Sequence, residues 1–367
     1  MQVIEHLYFH VPFCPKLCPY CCFYVEEGSK NKNKAFLDAL LKEIDCAQEN
    51  HRIVPKTIYF GGGTPTALLT DQLDYLFSGL KKRVSLESLQ EWTVEANPAT
   101  VRKEKAALLV QSGVTRISLG VQSWSETSLK TLGRVHTREQ ALKTVEILQL
   151  EGIPQLNIDL MFSVPGQTLK QWENDLTTTV SLAPSHISAY CLTYEEDTDF
   201  FNKLTGGTFT QNEEHDAQLF ELTMDRLGES GYRHYEISNH ARPGGESLHN
   251  QAYWEGKDFL GFGPSAFSTV QNERRQNICD TAQYTQRIHS STCAVSTRES
   301  LTATTRLRER IAFGLRVDTG IESELLTPWQ SAIADFVDLG LLEIFGSRLR
   351  LTRRGKLLAD SVAEAFV

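Results

Sequence analysis

Four of the eight cysteines, Cys14, Cys18, Cys21 and Cys22, fall within nine residues, while Cys46, Cys191, Cys279 and Cys293 are scattered. Crowding of this kind suits metal ligation better than a disulfide framework. In Cys14-Pro-Lys-Leu-Cys18-Pro-Tyr-Cys21 the two prolines disfavour a continuous helix, so the segment reads as an irregular loop on which three thiolates can converge. Zinc is the plain alternative, but a structural zinc site normally takes four ligands in two separated pairs, and no second C-x2-C pair occurs. A 4Fe-4S cube ordinarily takes four cysteines, so three would leave one iron open to a ligand that is not protein. Further candidates recur downstream: Gly61-Gly62-Gly63-Thr64-Pro65, Glu95, Gln122, Arg134, and Asp159 inside the apolar run Asn157-Ile-Asp159-Leu-Met161. A carboxylate in such a run is costly to bury unless it is paired or faces a ligand.

These residues sit where an alternating βα pattern would place them. Short β-rich runs are read at 6–11, 56–60, 91–95, 116–121, 155–161 and 186–192, separated by segments of helical period. Phe36, Leu37, Leu40, Leu41 and Ile44 share one helical face, as do Leu73, Leu76, Phe77 and Leu80. Thr137 with Gln140 and Thr168 with Gln171 read as capping boxes at two helix starts. Six strands and five intervening helices predict an α/β fold, a partial (β/α)6 barrel over residues 1–205, with an open doubly wound sheet as the second choice. In either, ligands gather at the carboxyl ends of the strands. Residues 206–297 read as an α+β extension packed beside the barrel. Residues 298–367, two helices followed by a hairpin and a last helix, read as a small winged-helix-like domain.

The 367 residues allow two to three domains, and 41% hydrophobic with 23% charged residues describes a globular chain rather than a disordered one. A net charge of -9 argues against general binding to nucleic acid, and the ten basic residues from Arg298 onward are matched by ten acidic ones. With no long apolar run and no leader-like start, the cytoplasm is the expected location.

The C-x3-C-x2-C spacing, with the later motifs in strand order, resembles the radical S-adenosylmethionine (SAM) superfamily. That resemblance implies a 4Fe-4S cluster on Cys14, Cys18 and Cys21, with SAM chelating the open iron. It further implies that Gly62, Gly63 and Thr64 bind the methionine amino group, Arg134 its carboxylate, and Gln122 and Asp159 the ribose hydroxyls, with Glu95 helping to fix the ligand. Tyr8 and Tyr20 would line the same pocket; Thr193 and Phe267 are carried over by spacing alone.

The likeness runs end to end with the subgroup of oxygen-independent coproporphyrinogen III dehydrogenases and heme chaperones. It is carried by Tyr8-Phe-His-Val-Pro-Phe-Cys14, Val164-Pro-Gly-Gln-Thr168, His186-Ile-Ser-Ala-Tyr190, Gly231-Tyr-Arg-His-Tyr-Glu-Ile-Ser-Asn239 and Gly261-Phe-Gly-Pro-Ser-Ala266. The dehydrogenases carry a cysteine two residues past the third cluster cysteine, where this chain has Phe23, and a longer segment before the cluster. His249-Asn-Gln-Ala-Tyr253-Trp254 matches the H-N-x-x-Y-W signature of the chaperones. The chaperone branch is therefore expected, with heme bound near His249 (Cys191 or Tyr253 as alternative contacts) and passed to an acceptor protein, membrane-associated acceptors included. An electron donor is implied if SAM is cleaved. The competing expectation is radical oxidative decarboxylation of coproporphyrinogen III to protoporphyrinogen IX; an unrelated radical-SAM activity is a third. Cys22, where the chaperones usually have aspartate, is expected to be a small buried hydrophobe.

Overall fold

The computed structural model describes residues 1–28 and 30–366. Six strands, β1 (Gln2–Val11), β2 (His51–Gly62), β3 (Glu91–Ala96), β4 (Arg116–Gln122), β5 (Gln155–Phe162) and β6 (His186–Cys191), pair in parallel in chain order. Between them run α1 (Lys30–Gln48), α2 (Thr70–Lys81), α3 (Lys103–Gln111), α4 (Arg138–Leu150) and α5 (Leu169–Ser181). The apolar faces of α1 and α2 named above are buried in the main core, packed on the outer side of the sheet. Both capping boxes form: the Thr137 and Thr168 side chains accept from the backbone N–H of Gln140 and Gln171. Each such cap satisfies an otherwise orphaned donor and is worth about 1 kcal/mol.

The extension departs from expectation, because its strands join the barrel sheet at both edges instead of packing beside it. β7 (Arg233–Glu236) and β8 (Asn239–Ala241) form a hairpin whose second strand pairs antiparallel with β6, and β9 (Leu260–Phe262) pairs parallel with β1. The sheet order is therefore β9-β1-β2-β3-β4-β5-β6-β8-β7. An uncovered edge strand leaves a row of backbone N–H and C=O groups without partners, and these short strands occupy both edges. The extension also carries α6 (Glu213–Glu229) and α7 (Leu248–Trp254), then β10 (Phe267–Val270), β11 (Glu273–Asn277), α8 (Thr281–His289) and β12 (Val295–Ser300). β10, β11 and β12 make a separate antiparallel sheet, and β12 runs across the expected 297/298 break, so we begin the C-terminal unit after Ser300.

That unit has its own core, with Ile311, Leu315, Leu349, Val362 and Phe366 buried together. It is built from α9 (Ala303–Arg316), β13 (Ile321–Glu322), α10 (Gln330–Asp338), β14 (Leu342–Phe345), β15 (Arg348–Leu351) and short terminal helices, a winged-helix-like arrangement. Several of its basic residues are engaged within the chain: Arg348 with Glu322, Arg350 with Glu343, Arg353 with Asp225, Lys356 with Asp318. Among the described residues, no helix is long and apolar enough to cross a membrane.

Candidate functional site

A cavity of about 640 Å³ opens at the carboxyl ends of the barrel strands. Residues two apart on each strand face it: Thr93 and Glu95, then Ser118, Gly120 and Gln122, then Asn157, Asp159 and Met161, then Ser188 and Tyr190. The cysteine loop leaves the end of β1 and closes the top, bringing Cys14, Cys18, Tyr20 and Cys21 to the same wall. The glycine loop after β2 seats it there. A Cβ on Gly62, whose φ is +99°, would lie 2.5 Å from the His10 ring, and one on Gly63 would lie 2.7 Å from the backbone of Pro12. These two glycines are required by the close approach of the loop to β1, before any ligand is considered. The Cys14 Sγ then lies 3.5 Å from the Thr64 Oγ1.

The charged groups are held by a dense polar scaffold. Asp159 accepts from Ser118 Oγ at 3.1 and 3.2 Å and from Asn157 Nδ2 at 2.6 Å. Asn157 is itself bonded to Ser118, Ser188 and His186. Burial raises the Asp159 carboxyl, with the neighbouring donors acting against that shift. Glu95 accepts from the Tyr59 hydroxyl at 2.7 Å and is pushed up to about 7, chiefly by burial and further by the Asp159 charge. A register shift between Gly120 and Gln122 leaves Gln122 at a φ of +70°, so its side chain turns into the cavity and accepts from the Tyr190 hydroxyl at 2.7 Å. A bulge re-aiming a side chain is a recurrent feature beside ligand sites. Arg134 donates to the Gly120 carbonyl at 2.8 Å and to the Cys18 sulfur at 3.4 Å, while its buried Nε has no partner among the described residues.

Thr193 lines the rim of this cavity, but Tyr8 and Phe267 do not reach it. They line a second cavity of about 940 Å³, bounded by β1, β2, α7, β10 and α9. Its wall is largely aromatic, and Phe23, Tyr253 and Phe267 remain 66, 43 and 45% exposed around it. His249 stands here too. Its Nδ1 lies 2.8 Å from Thr57 Oγ1, its ring 5.1 Å from that of Tyr59, and burial pushes its pKa down to about 3, leaving a neutral imidazole. Cys22 is exposed and lines both cavities, as do Phe23, Tyr59 and Asn250. It is thus no buried hydrophobe; the loop that gathers the other three thiols carries it to the shared rim.

Residues 8–178 match the family model described as Radical SAM superfamily, and residues 301–358 the HemN C-terminal domain. The chain is 33% identical to the Heme chaperone HemW of Lactococcus lactis, covering 100% of this chain and 98% of that protein. It is 32% identical to HemW of Bacillus subtilis, covering 99% of each. The chain belongs to the radical SAM superfamily, in its HemW branch. In fold it is similar to the coproporphyrinogen III oxidase HemN of Escherichia coli, with a TM-score of 0.85 at 23% identity, covering 100% of this chain and 90% of that one.

Members of this superfamily hold a 4Fe-4S cluster and SAM, and the first cavity has the donor set for both. Burial raises the Cys14 thiol and holds Cys21 at about 11. Thiols in such surroundings ionise when bound cations such as iron stabilise the thiolate. The unpartnered Arg134 Nε and the two buried carboxyls add recognition for a ligand bearing a carboxylate, an amino group and hydroxyls. The supporting Tyr59, Ser118, Asn157 and Tyr190 were not among the sequence candidates. Their spacing of two from Gly61, Gly120, Asp159 and Ser188 marks only which face of a strand they share.

Proposed function

We propose that this protein is a cytoplasmic heme chaperone that binds heme in the second cavity and delivers it to an acceptor protein, with one 4Fe-4S cluster and SAM in the first. The observation that carries this reading is the large aromatic cavity in which a neutral histidine has Nδ1 engaged by the protein and Nε2 without a partner among the described residues. A neutral imidazole is a common axial ligand for heme iron, and flat aromatic surface suits a porphyrin. The end-to-end identity to proteins named heme chaperones supports it.

In the first cavity Cys14, Cys18 and Cys21 would hold the cluster. Arg134 would grip the methionine carboxylate, Glu95 with the Gly62–Thr64 backbone would orient the amino end, and Gln122 and Asp159 would take the ribose hydroxyls. When bound, the cluster supplies an electron, delivered by an external donor, and an open coordination position. Heme acceptors, membrane-associated ones included, fall within this reading. The experiment is an anaerobic assay of reconstituted protein, following heme binding beside protoporphyrinogen IX formation from coproporphyrinogen III. Heme binding without product is expected; product at catalytic turnover would instead establish the dehydrogenase activity.

A further inference from the structure

His249 is not alone at its position. The Thr57 hydroxyl lies 2.8 Å from His249 Nδ1 and 2.9 Å from His6 Nδ1, so one oxygen bridges two imidazoles. A register irregularity between Ile4 and His6 in the β1–β2 pairing sets His6 directly opposite Thr57. The third member arrives from far away in the chain. α7 begins at residue 248, where buried Glu91 at the start of β3 accepts from the backbone N–H of Leu248 at 2.9 Å and of His249 at 3.0 Å. Backbone capping fixes where His249 stands, Tyr59 lies against its ring, and Thr57 meets its Nδ1.

A hydroxyl carries one proton, and Thr57 is 1% exposed, with these two rings as its side-chain partners. When it donates to one Nδ1, it accepts from the other. Two neutral imidazoles on one hydroxyl therefore take opposite tautomers, and the arrangement in which both rings donate leaves a buried hydroxyl proton unpaired, costing about 1 to 3 kcal/mol. A histidine that binds iron through Nε2 must carry its proton on Nδ1. For His249 to do so, Thr57 must accept from it and donate to His6.

We propose that Thr57 and His6 are positioning residues that hold His249 in the tautomer with a proton on Nδ1 and a bare Nε2, ready for the heme iron. His6 accepts the hydroxyl proton, which leaves the Thr57 oxygen free to receive His249 Nδ1–H, as the outer partners of ligating histidines do elsewhere. The inference rests on the reading of His249 as the iron ligand, and its test separates the two.

The first measurement uses the heme-free protein labelled with 15N-histidine, in which ring nitrogen shifts report the tautomer directly. His249 should carry its proton on Nδ1. His6→Phe should move that proton to Nε2, because Thr57, deprived of its acceptor, then donates to His249. The second measurement is heme titration. Thr57→Val, which keeps the shape and loses the hydroxyl, should weaken heme binding about 10-fold or more and shift the Soret band, while Thr57→Ser should recover both. Unchanged cluster content and far-ultraviolet dichroism establish that each variant is folded. A wild-type His249 protonated on Nε2, or a Thr57→Val protein that binds heme normally while His249→Ala does not, overturns the proposal. If His249→Ala binds heme as well as wild type, the ligand reading fails, and the tautomer measurement still decides the role of Thr57 and His6.

Discussion

The two cavities share a wall and differ in how they are made. The floor of the cluster cavity is a set of polar side chains from consecutive strands, two residues apart on each, so parallel pairing brings Glu95 and Asp159 together and the bulge before Gln122 turns its side chain in beside them. The second cavity is largely aromatic and draws on segments remote in sequence: β1 and β2, then α7, β10 and α9. One is a product of sheet register and the other of how the extension and C-terminal unit close over an edge of that sheet. The lesson is that sheet register fixes the buried carboxyls of the first site independently of the loops above them, whereas a site built by docking depends on a few anchoring contacts such as Glu91 to α7.

The sharpest way to separate the two is to remove the cluster thiols. Cys21→Ser should abolish the 4Fe-4S cluster, read as iron and sulfide after anaerobic reconstitution, whereas Cys22→Ser should keep it. The reverse outcome would assign the ligands wrongly.

Glu95→Gln should have two opposite effects on the cluster cavity. It should weaken SAM binding, yet stabilise the cofactor-free fold above neutral pH. The folded-state pKa of Glu95, about 7, lies above its ordinary 4.5. Its contribution to stability is therefore fully present below pH 4.5 and lost as the pH rises through 7. Denaturant titrations of the two proteins from pH 4.5 to 8 should diverge by up to about 3 kcal/mol, the variant being the more stable at pH 8. Parallel curves would mean that Glu95 ionises normally.

Asp159→Asn and Arg134→Gln should each weaken SAM binding by about 1.5 to 3 kcal/mol, the worth of a hydrogen bond to a charged group, measured by equilibrium titration. Neither should alter heme binding if the cavities are independent. In the second cavity, His249→Ala should change the heme Soret spectrum and lower heme retention without altering cluster content.

The smallest effect belongs to the joint of the C-terminal unit. Arg353 and Asp225 pair across it, each about half exposed, so Arg353→Ala should cost under about 1 kcal/mol in thermal denaturation. A larger loss would mean that this surface pair carries the docking, not the apolar contact of Ile237, which packs against both cores.

Much of the first cavity was legible because its chemistry is local. Cys14, Cys18 and Cys21 declare themselves by spacing, and Asp159 by being a carboxylate in an apolar run. The capping boxes at Thr137 and Thr168 were legible for the same reason, since donor and acceptor lie three residues apart. Tyr8 was carried over by resemblance alone; it lies on the strand that leads to the cysteine loop and lines the second cavity. Cys22 was misjudged because exposure is a property of the folded loop, not of the residue type.

The amino-acid order by itself determined the parallel βα core, the helix faces and caps, and the loop on which three thiols gather, since each follows from contacts a few residues apart or from a period of two or 3.6. Only the tertiary structure decided that the extension supplies both edges of the sheet, that Gly62 and Gly63 make room for His10 and Pro12, and that His6, Thr57 and His249 meet at one hydroxyl. Those arrangements join residues up to 253 positions apart. Their partners are chosen by which edges and cavities remain open once the core has packed, and no local pattern encodes that choice.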